Sequence, residues 1–281
     1  MTARMKDHTS ASSLTEAFLE WYIANRHRPD LAELNDYLLN AALSARGYNN
    51  LESGETFFVK EILAATAPRL CFDIGANVGR YSLDLLNYTS ADVIAFEPLI
   101  STHGELVRNT QAYGDRIVCE NVGVGNFDGE GILHFDATNP VLASFSQEVK
   151  KVSYVTNGQT MKVRVTSLDT YCRVAGITAV DLIKIDTEGF ETEVFEGAAR
   201  VFSEIRPRFI QMEFNWHQMF RSRTLNDFAE MLPEYDVYQL LPNGWARREP
   251  RDPLANFYQF SNFVFVLNGQ GEFLPTADGG V

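Results

Sequence analysis

The hydrophobic residues of this chain repeat with one spacing before residue 69 and with another after it. Before it they recur every three or four positions, which predicts helices over residues 14–46 and 55–65. After it, short apolar runs such as RLCFDI, DVIAFEP, DLIKID and RFIQMEF alternate with helical segments. This alternation predicts a doubly wound, mainly parallel α/β sheet. The near-continuous apolar runs are typical of strands that are covered on both faces.

The change of pattern also predicts how the chain is divided. We expect residues 1–54 to form a polar tail with a helical appendage and residues 55–281 to form the α/β domain. The longest stretch of that domain without a clear period is residues 137–160. Segments of this length in a compact domain often carry function, so contacts with a substrate are expected there.

Charge, hydrophobicity and cysteine content limit the expected partners and the expected location of the protein. The formal net charge is -13, from 37 acidic and 24 basic residues, and such a chain is a poor binder of nucleic acid. The sequence contains no apolar signal region and no run of about 18 apolar residues, so we expect neither secretion nor a membrane span. Cys71, Cys119 and Cys172 form no CxxC pair, and the apolar runs around Cys71 and Cys119 indicate core residues in a reducing compartment. The expected location is cytoplasmic.

The segment CFDIGANVGRYS, residues 71–82, has the pattern of a strand that enters a glycine-spaced turn. Gly75, Asn77 and Gly79 lie two positions apart, and the acidic Asp73 lies inside the apolar strand. In open parallel sheets, ligands bind beyond the carboxyl ends of the strands. The GxNxG spacing differs from the GxGxxG of dinucleotide-binding folds, so a tight turn without a ligand is the alternative.

Glu97, at the end of the next strand, favours a ligand. An acid about 20 residues after such a turn can accept hydrogen bonds from the hydroxyls of a ribose. A solvated strand end is the alternative. Together the two features indicate a nucleoside ligand without a pyrophosphate, and S-adenosylmethionine (SAM) fits. We expect its ribose at Glu97, its amino-acid part against residues 75–79 and its ammonium near Asp73, with Asn121 and Asp186 completing the cofactor-binding set.

Four segments resemble the FkbM-type methyltransferases, a branch of the SAM-dependent Rossmann-like methyltransferases: FDIGANVGRYSLDLL, AFEP, TSLDTY and DLIKIDTEGFETEVFEGA. The resemblance covers residues 55–268 and leaves the helices before residue 50 outside it. It implies a class I methyltransferase fold, with helices on both faces of a mainly parallel seven-stranded sheet whose last strand is reversed. It also implies SAM as the cofactor and O-methylation of hydroxyls, often on sugars or secondary metabolites.

A second group of polar residues surrounds the end of the strand DLIKID. Lys184 and Asp186 share one face of this strand, and Asp186 and Glu188 lie at its tip. Charges around a buried strand end are costly unless they are paired or used. We interpret Asp186 and Glu188 as functional residues; the alternative is a pair between Lys184 and a carboxylate beside an acidic helix start.

The following strand, RFIQMEF, ends near Glu213, and Asn215 and His217 come next. Methyl transfer to a hydroxyl requires a base or a metal that helps remove its proton. We predict that His217 carries this proton with help from Asp186, and that Glu188 and Glu213 complete the catalytic set. In the alternative, His217 only lines the crevice and Asp186 or Glu188 is the base. Mg²⁺ could bind Asp186, Glu213 and Asn215, but their spacing does not demand it, so no metal is expected.

The acceptor contacts are expected in the segment LASFSQ. Ser144 and Ser146 can bond hydroxyls, and Phe145 can cover an apolar ring face. The leading interpretation is an O-methyltransferase that acts on a small-molecule or glycan partner, at a hydroxyl of a sugar, glycan or glycosylated secondary metabolite. The alternatives are a polyketide or peptide hydroxyl as acceptor and a SAM-binding protein without catalysis. The GxNxG spacing argues against an NAD oxidoreductase, and the negative charge argues against an RNA methyltransferase.

Overall fold

The computed structural model describes residues 11–48, 53–152 and 155–269 of the chain. The chain separates into two compact units, Met1–Arg46 and Gly47–Val281. In the first unit, helix α1 (Ala11–Asn25) is followed by a 3-10 turn, Pro29–Leu31, and helix α2 (Ala32–Ala45). The Tyr22 hydroxyl donates a hydrogen bond to Asn35 Oδ1 at 2.7 Å, which joins the two helices. The first unit is therefore helical, as the sequence predicts.

The second unit alternates helices and strands from residue 55 onward. Its helices are α3 (Glu55–Phe57), which continues as π-helical Phe58–Leu63 and 3-10 Ala64–Thr66, α4 (Arg80–Tyr88), α5 (Ile100–Thr110), α6 (Leu168–Ala175), α7 (Glu191–Glu196), α8 (Trp216–Phe220) and α9 (Leu225–Met231). Shorter 3-10 or π-helical turns cover Gln111–Arg116, Pro140–Leu142, Gln147–Lys151, Val201–Ile205 and Pro253–Ala255. Among the described helices, none has the length and apolar character needed to cross a membrane.

The strands of this unit belong to two sheets. They are β1 (Leu70–Ile74), β2 (Asp92–Phe96), β3 (Ile117–Glu120), β4 (Gly123–Val124), β5 (Gly129–Phe135), β6 (Gln159–Thr166), β7 (Leu182–Ile185), β8 (Phe209–Phe214), β9 (Tyr235–Leu241), β10 (Gly244–Arg247) and β11 (Ser261–Leu267). Over the described ranges, β4, β6 and β5 form a small sheet in that order, and the other strands form the central sheet.

The central sheet has the order β10-β9-β11-β8-β7-β1-β2-β3 in the described part of the chain. Neighbours from β8 to β3 pair in parallel, whereas β11 is antiparallel to both β8 and β9. The predicted mainly parallel α/β sheet with a reversed last strand is thus confirmed. The expected seven strands are joined by an eighth, β10, which pairs antiparallel with β9 at the edge. This strand has only four residues, GWAR, which is too short for the hydrophobic pattern to reveal it.

Alternation along the strands directs side chains to two buried faces. Ile74, Ile185 and Met212 belong to a cluster that also includes residues of α6, α7 and α9. The opposite face is covered by α4, α5 and the π-helical turn after α3. On that second face, Asp73 of β1, Lys184 of β7 and Gln211 of β8 are direct cross-strand neighbours. A row of buried polar side chains therefore crosses the sheet just below the carboxyl ends of its strands.

Candidate functional site

The glycine-spaced turn joins β1 to α4 at the carboxyl edge of the sheet. Gly75 has φ +81° and Gly79 has φ +89°, and Asn77 between them is also left-handed at φ +48°. A Cβ on Gly75 would lie 1.7 Å from the carbonyl oxygen of Asp186, and one on Gly79 would lie 2.6 Å from Leu106 Cδ1. Both glycines are therefore required by the close approach of neighbouring elements. They do not by themselves indicate a ligand, and the evidence for one comes from the surrounding cleft.

The Glu97 carboxylate lies at the end of β2 and is buried. Its Oε2 accepts the backbone N–H of Asn77 at 2.9 Å, and its Oε1 accepts the N–H of Leu99 at 2.8 Å and the Thr102 hydroxyl at 2.9 Å. Burial raises the pKa of Glu97, although these bonds act against the rise. Since a carboxylate offers about four lone-pair positions, one is left, on Oε2, for a further donor.

Two clefts in the described part of the chain meet at the glycine-spaced turn. Both are lined by Gly75, Asn77, Val141 and Asp186. The first cleft runs toward β2 and the small sheet, and it is also lined by Ile74, Phe96, Glu97, Pro98, Val122, Gly123, Val124, Leu133, Pro140, Ala143, Phe145, Thr187 and Glu188. The second cleft runs toward α3 and α4, and it is also lined by Ser53, Gly54, Glu55, Thr56, Phe57, Ala76, Val78, Arg80, Tyr81, Asp84, Lys184, Pro242 and Asn243.

The first cleft has the chemistry that an adenosine group needs. Apolar side chains such as Val122 and Leu133 suit an adenine ring, and the remaining acceptor position on Glu97 suits a ribose hydroxyl. The exposed Asn121 holds the cleft wall, since its amide donates to the carbonyl oxygens of Glu97 at 2.9 Å and Pro98 at 3.0 Å. The residues present therefore fit SAM, with its adenosine part in the first cleft.

Asp73 lies below the turn and is not among the described residues that line either cleft. Its side chain is 0% exposed, and its Oδ2 accepts the Ser82 hydroxyl at 2.6 Å. Its Oδ1 is 3.8 Å from Lys184 Nζ, which in turn is 2.8 Å from Asp186 Oδ2. Burial alone would lower the pKa of Lys184, but the charges of Asp186, Asp73 and Glu55 raise it overall. The charged form of Lys184 is therefore favoured in its buried position between two carboxylates.

Three carboxylates meet at the carboxyl ends of β7 and β8. Oxygens of Asp186, Glu188 and Glu213 all lie within 4.8 Å of one another. Burial raises the pKa of Glu188 and of Glu213 well above the usual range, and the negative charge of Asp186 adds to both shifts. Burial acts on Asp186 in the same direction, but the Lys184 charge and a hydrogen bond with Glu213 lower its pKa overall. The arrangement thus favours a charged Asp186 beside two protonated neighbours.

The loop that carries these acids is held by Glu191. The Oε1 of this buried side chain accepts the backbone N–H groups of Thr187 and Gly189, each at 3.0 Å. Its Oε2 accepts the Gln218 amide at 3.0 Å. Glu188 itself has φ +54°, a conformation that non-glycine residues rarely adopt and that often marks functional loops. Glu191 therefore stabilises a strained turn that directs Glu188 toward the first cleft.

His217 and Asn215 lie behind this loop, at the start of α8. Asn215 caps the helix, because its Oδ1 accepts the His217 N–H at 2.7 Å, and its amide donates to Glu213 Oε1 at 2.5 Å. The His217 ring is 2% exposed, and its Nδ1 is 3.4 Å from Glu188 Oε2. Burial lowers the pKa of His217 to about 4, although the charge of Asp186 opposes this. His217 is therefore a neutral residue that contacts Glu188, and the Asn215 oxygen is committed to the helix cap.

The three residues predicted to contact the acceptor do not all face the clefts. Ser144 and Ser146 are buried, and their hydroxyls accept the backbone N–H groups of Ser146 at 2.9 Å and Glu148 at 3.3 Å. Phe145 lines the first cleft, and its ring centroid is 5.1 Å from that of Phe190. The two hydroxyls thus organise their own loop, while Phe145 faces the ligand region. Their role toward an acceptor stays a prediction.

The second cleft contains polar residues that the sequence pattern did not indicate as functional. Glu55 and Tyr81 are held there by Gln211 of β8, whose amide nitrogen donates to Glu55 Oε1 at 3.0 Å and whose oxygen accepts the Tyr81 hydroxyl at 2.6 Å. The one available signal was the strand FIQMEF, where a glutamine interrupts a continuous apolar run. Nothing in the sequence connects that glutamine to an acid 156 positions earlier.

Comparisons with known proteins identify the family of this chain. The model of the methyltransferase FkbM domain matches residues 73–238, from β1 to β9. The chain is 27% identical over 85 residues to a 2-O-methyltransferase, NoeI, of Sinorhizobium fredii, covering 30% of this chain and 34% of that protein. It is 25% identical over 134 residues to a hexuronic acid methyltransferase, AglP, of Haloferax volcanii, covering 48% of this chain and 52% of that protein. The chain thus spans about a third and about half of the length of these relatives.

Solved structures are also similar. An O-methyltransferase from Bacillus cereus matches with a TM-score of 0.44 and 14% identity, covering 89% of this chain and 96% of that one. The family assignment does not depend on this likeness, because the FkbM model by itself matches more than half of the chain. The chain belongs to the FkbM methyltransferase family.

Proposed function

We propose that this methyltransferase uses SAM to methylate a hydroxyl of a sugar, glycan or glycosylated secondary metabolite. The observation that carries the proposal is the position of Asp186, which lines both clefts where they meet at Gly75. A ribose bound at Glu97 would bring the rest of the cofactor to this junction, and the acceptor must reach the same point. A cofactor cleft and a charged carboxylate therefore share one edge, as methyl transfer to a hydroxyl requires.

The cofactor would be held mainly by groups of the first cleft. The Glu97 carboxylate would accept a ribose hydroxyl, the backbone of residues 75–79 would lie along the amino-acid part, and Val122 and Leu133 would contact the adenine. When bound, SAM supplies the methyl group. The protein's own contribution is then to orient the acceptor hydroxyl, exclude water and take up its proton.

Two features support Asp186 as the residue that takes up this proton. The residue lines both clefts, and its Oδ2 is fixed by Lys184 Nζ at 2.8 Å. The charge of Lys184 also opposes the effect of burial, so the carboxylate is ionised at neutral pH. A base must be ionised and oriented where the acceptor hydroxyl arrives, and Asp186 meets both conditions in this proposal.

His217 acts in this proposal through Glu188. The Nδ1 of the imidazole is 3.4 Å from Glu188 Oε2, and the residue is almost fully buried. A protonated Glu188 can donate a hydrogen bond toward the first cleft while His217 fixes its orientation. His217 itself is the alternative proton acceptor, since its buried Nε2 has no hydrogen-bond partner among the described residues.

The sugar acceptor is supported by the two relatives. Their names describe a 2-O-methyltransferase and a hexuronic acid methyltransferase, and both match the present chain at low identity. Phe145 at the first cleft could cover an apolar face of a sugar ring, as proposed from the sequence. A polyketide or peptide hydroxyl is the alternative acceptor.

The proposal is tested in two steps. Calorimetry with SAM and with NAD should detect binding of SAM alone. The protein is then incubated with methyl-labelled SAM and three acceptor sets: sugar nucleotides, free glycosides and polyketide alcohols. Label transfer to a sugar hydroxyl supports the proposal. Transfer only to the polyketide alcohols would refute the sugar acceptor, and SAM binding without transfer in single-turnover assays would indicate a SAM-binding protein without catalysis.

A further inference from the structure

The second cleft continues the path of the cofactor beyond the junction. It shares Gly75, Asn77 and Asp186 with the first cleft, and Ala76 and Val78 of the same turn line it further along. A ligand whose ribose lies at Glu97 and whose chain follows the turn therefore enters the second cleft with its far end. If the proposed function is correct, that end is the amino-acid part of SAM, which carries an ammonium and a carboxylate.

The sequence suggested Asp73 as the partner of this ammonium, but a different acid faces the second cleft. Asp73 is 0% exposed and is engaged by Ser82 and Lys184. Glu55, by contrast, is partly exposed and lines the cleft at the start of α3. It follows Gly54, where a Cβ would lie 2.3 Å from the Leu241 carbonyl oxygen, so the chain is fixed closely at this point.

The Glu55 carboxylate is oriented from both sides. Its Oε1 accepts the Gln211 amide at 3.0 Å, and its Oε2 accepts the Ser53 hydroxyl at 2.9 Å. Gln211 is itself fixed, because its amide also donates to Asn262 Oδ1 at 3.1 Å and its oxygen accepts the Tyr81 hydroxyl. Each Glu55 oxygen keeps a further lone-pair position, which suits a donor with several N–H groups.

The charges around Glu55 also favour a cationic ligand. Besides Glu55, the second cleft is lined by the carboxylates Asp84 and Asp186 and by the cations Arg80 and Lys184. Lys184 forms its ion pairs with Asp186 and Asp73, and Asp84 accepts the Thr56 hydroxyl at 2.7 Å. A primary ammonium has three donors and gains a charge-assisted hydrogen bond at a partly buried carboxylate. We propose that Glu55 binds the α-ammonium group of SAM, an assignment that rests on the proposed function.

The test compares three ligands by calorimetry. They are SAM, its 2-oxo analogue without the ammonium, and 5′-methylthioadenosine, which lacks the amino-acid part. Glu55→Gln should raise the Kd for SAM by about 10- to 100-fold, the range expected for one hydrogen bond to a charged group. It should change the Kd of the other two ligands less than about threefold. Glu61→Gln, which removes an exposed charge from the π-helical turn after α3 and outside both clefts, is the matched control and should change SAM binding less than about threefold.

Three outcomes would overturn the assignment. The first is an unchanged SAM affinity in Glu55→Gln, the second is an equal loss for all three ligands, and the third is a raised acceptor KM with an unchanged SAM Kd. If Glu55→Gln does not fold, Glu55→Asp keeps the charge and withdraws it by one methylene; it should weaken SAM but not 5′-methylthioadenosine. A parent protein that binds neither SAM nor 5′-methylthioadenosine would instead refute the proposed function, so the two failures are distinguishable.

Discussion

Loss of the Lys184 side chain should strongly destabilise the folded state. Its side chain is 6% exposed, and Asp186 Oδ2 and Asp73 Oδ1 lie 2.8 Å and 3.8 Å from its Nζ. In Lys184→Met the methionine fills a similar volume but leaves Asp73 with the Ser82 hydroxyl as its remaining described partner. Removing one partner of a buried ion pair costs about 3–5 kcal/mol, because an uncompensated charge remains in the interior. We therefore expect the free energy of unfolding to fall by this amount at pH 7.

The loss should also depend on pH in a defined direction. In the variant, Asp73 keeps the burial that raises its pKa but lacks the Lys184 charge that opposes the rise. A carboxyl whose folded-state pKa exceeds its unfolded value contributes stability at low pH and loses it as pH rises through the folded-state pKa. The difference between parent and variant should therefore be small near pH 4 and should widen toward pH 8.

The assay is urea unfolding followed by circular dichroism at several pH values. Lys162→Met is the matched control, because Lys162 pairs with Glu130 on the surface, with side chains 75% and 71% exposed; it should change stability by no more than about 0.5 kcal/mol. The double variant Lys184→Met with Asp73→Asn should recover part of the loss. If Lys184→Met lowered the free energy of unfolding by less than about 1 kcal/mol at every pH, the buried ion pair would be refuted.

Local features of the site could be predicted from the sequence. The strand, the glycine-spaced turn and the acid at the end of the next strand follow one another within residues 70–97, and backbone rules act over such short distances. Gly75 and Glu97 thus lie at the edge of one cleft, as the spacing indicated. The mainly parallel sheet with its reversed last strand was also correctly expected.

Features that depend on packing between distant segments could not be predicted. Glu55 meets Gln211 because α3 covers the sheet face on which β8 directs that glutamine, and no local pattern encodes this contact. The burial of His217 likewise depends on how α8 packs against the loop of Glu188. The hydroxyl of Ser144 was suggested for ligand contact because it is polar, but a polar residue inside a loop can serve the loop's own backbone instead.

The remaining predictions concern cofactor, metal and base. Glu97→Gln should weaken SAM and 5′-methylthioadenosine equally, by about tenfold in calorimetry, since both carry the ribose; a loss for SAM alone would contradict the ribose contact. Methyl transfer should survive EDTA, because Asp186, Glu188 and Glu213 can share protons without a metal ion. Loss of activity with EDTA and its recovery with Mg²⁺ would contradict this prediction. For the base, Asp186→Asn should lower kcat by about 10²- to 10⁴-fold at saturating SAM with SAM binding retained. His217→Ala should lose less, because the imidazole acts through Glu188. If His217→Ala lost more activity than Asp186→Asn, and if only His217→Ala lost a bell-shaped pH dependence of kcat, the histidine would be the base and Asp186 would orient it.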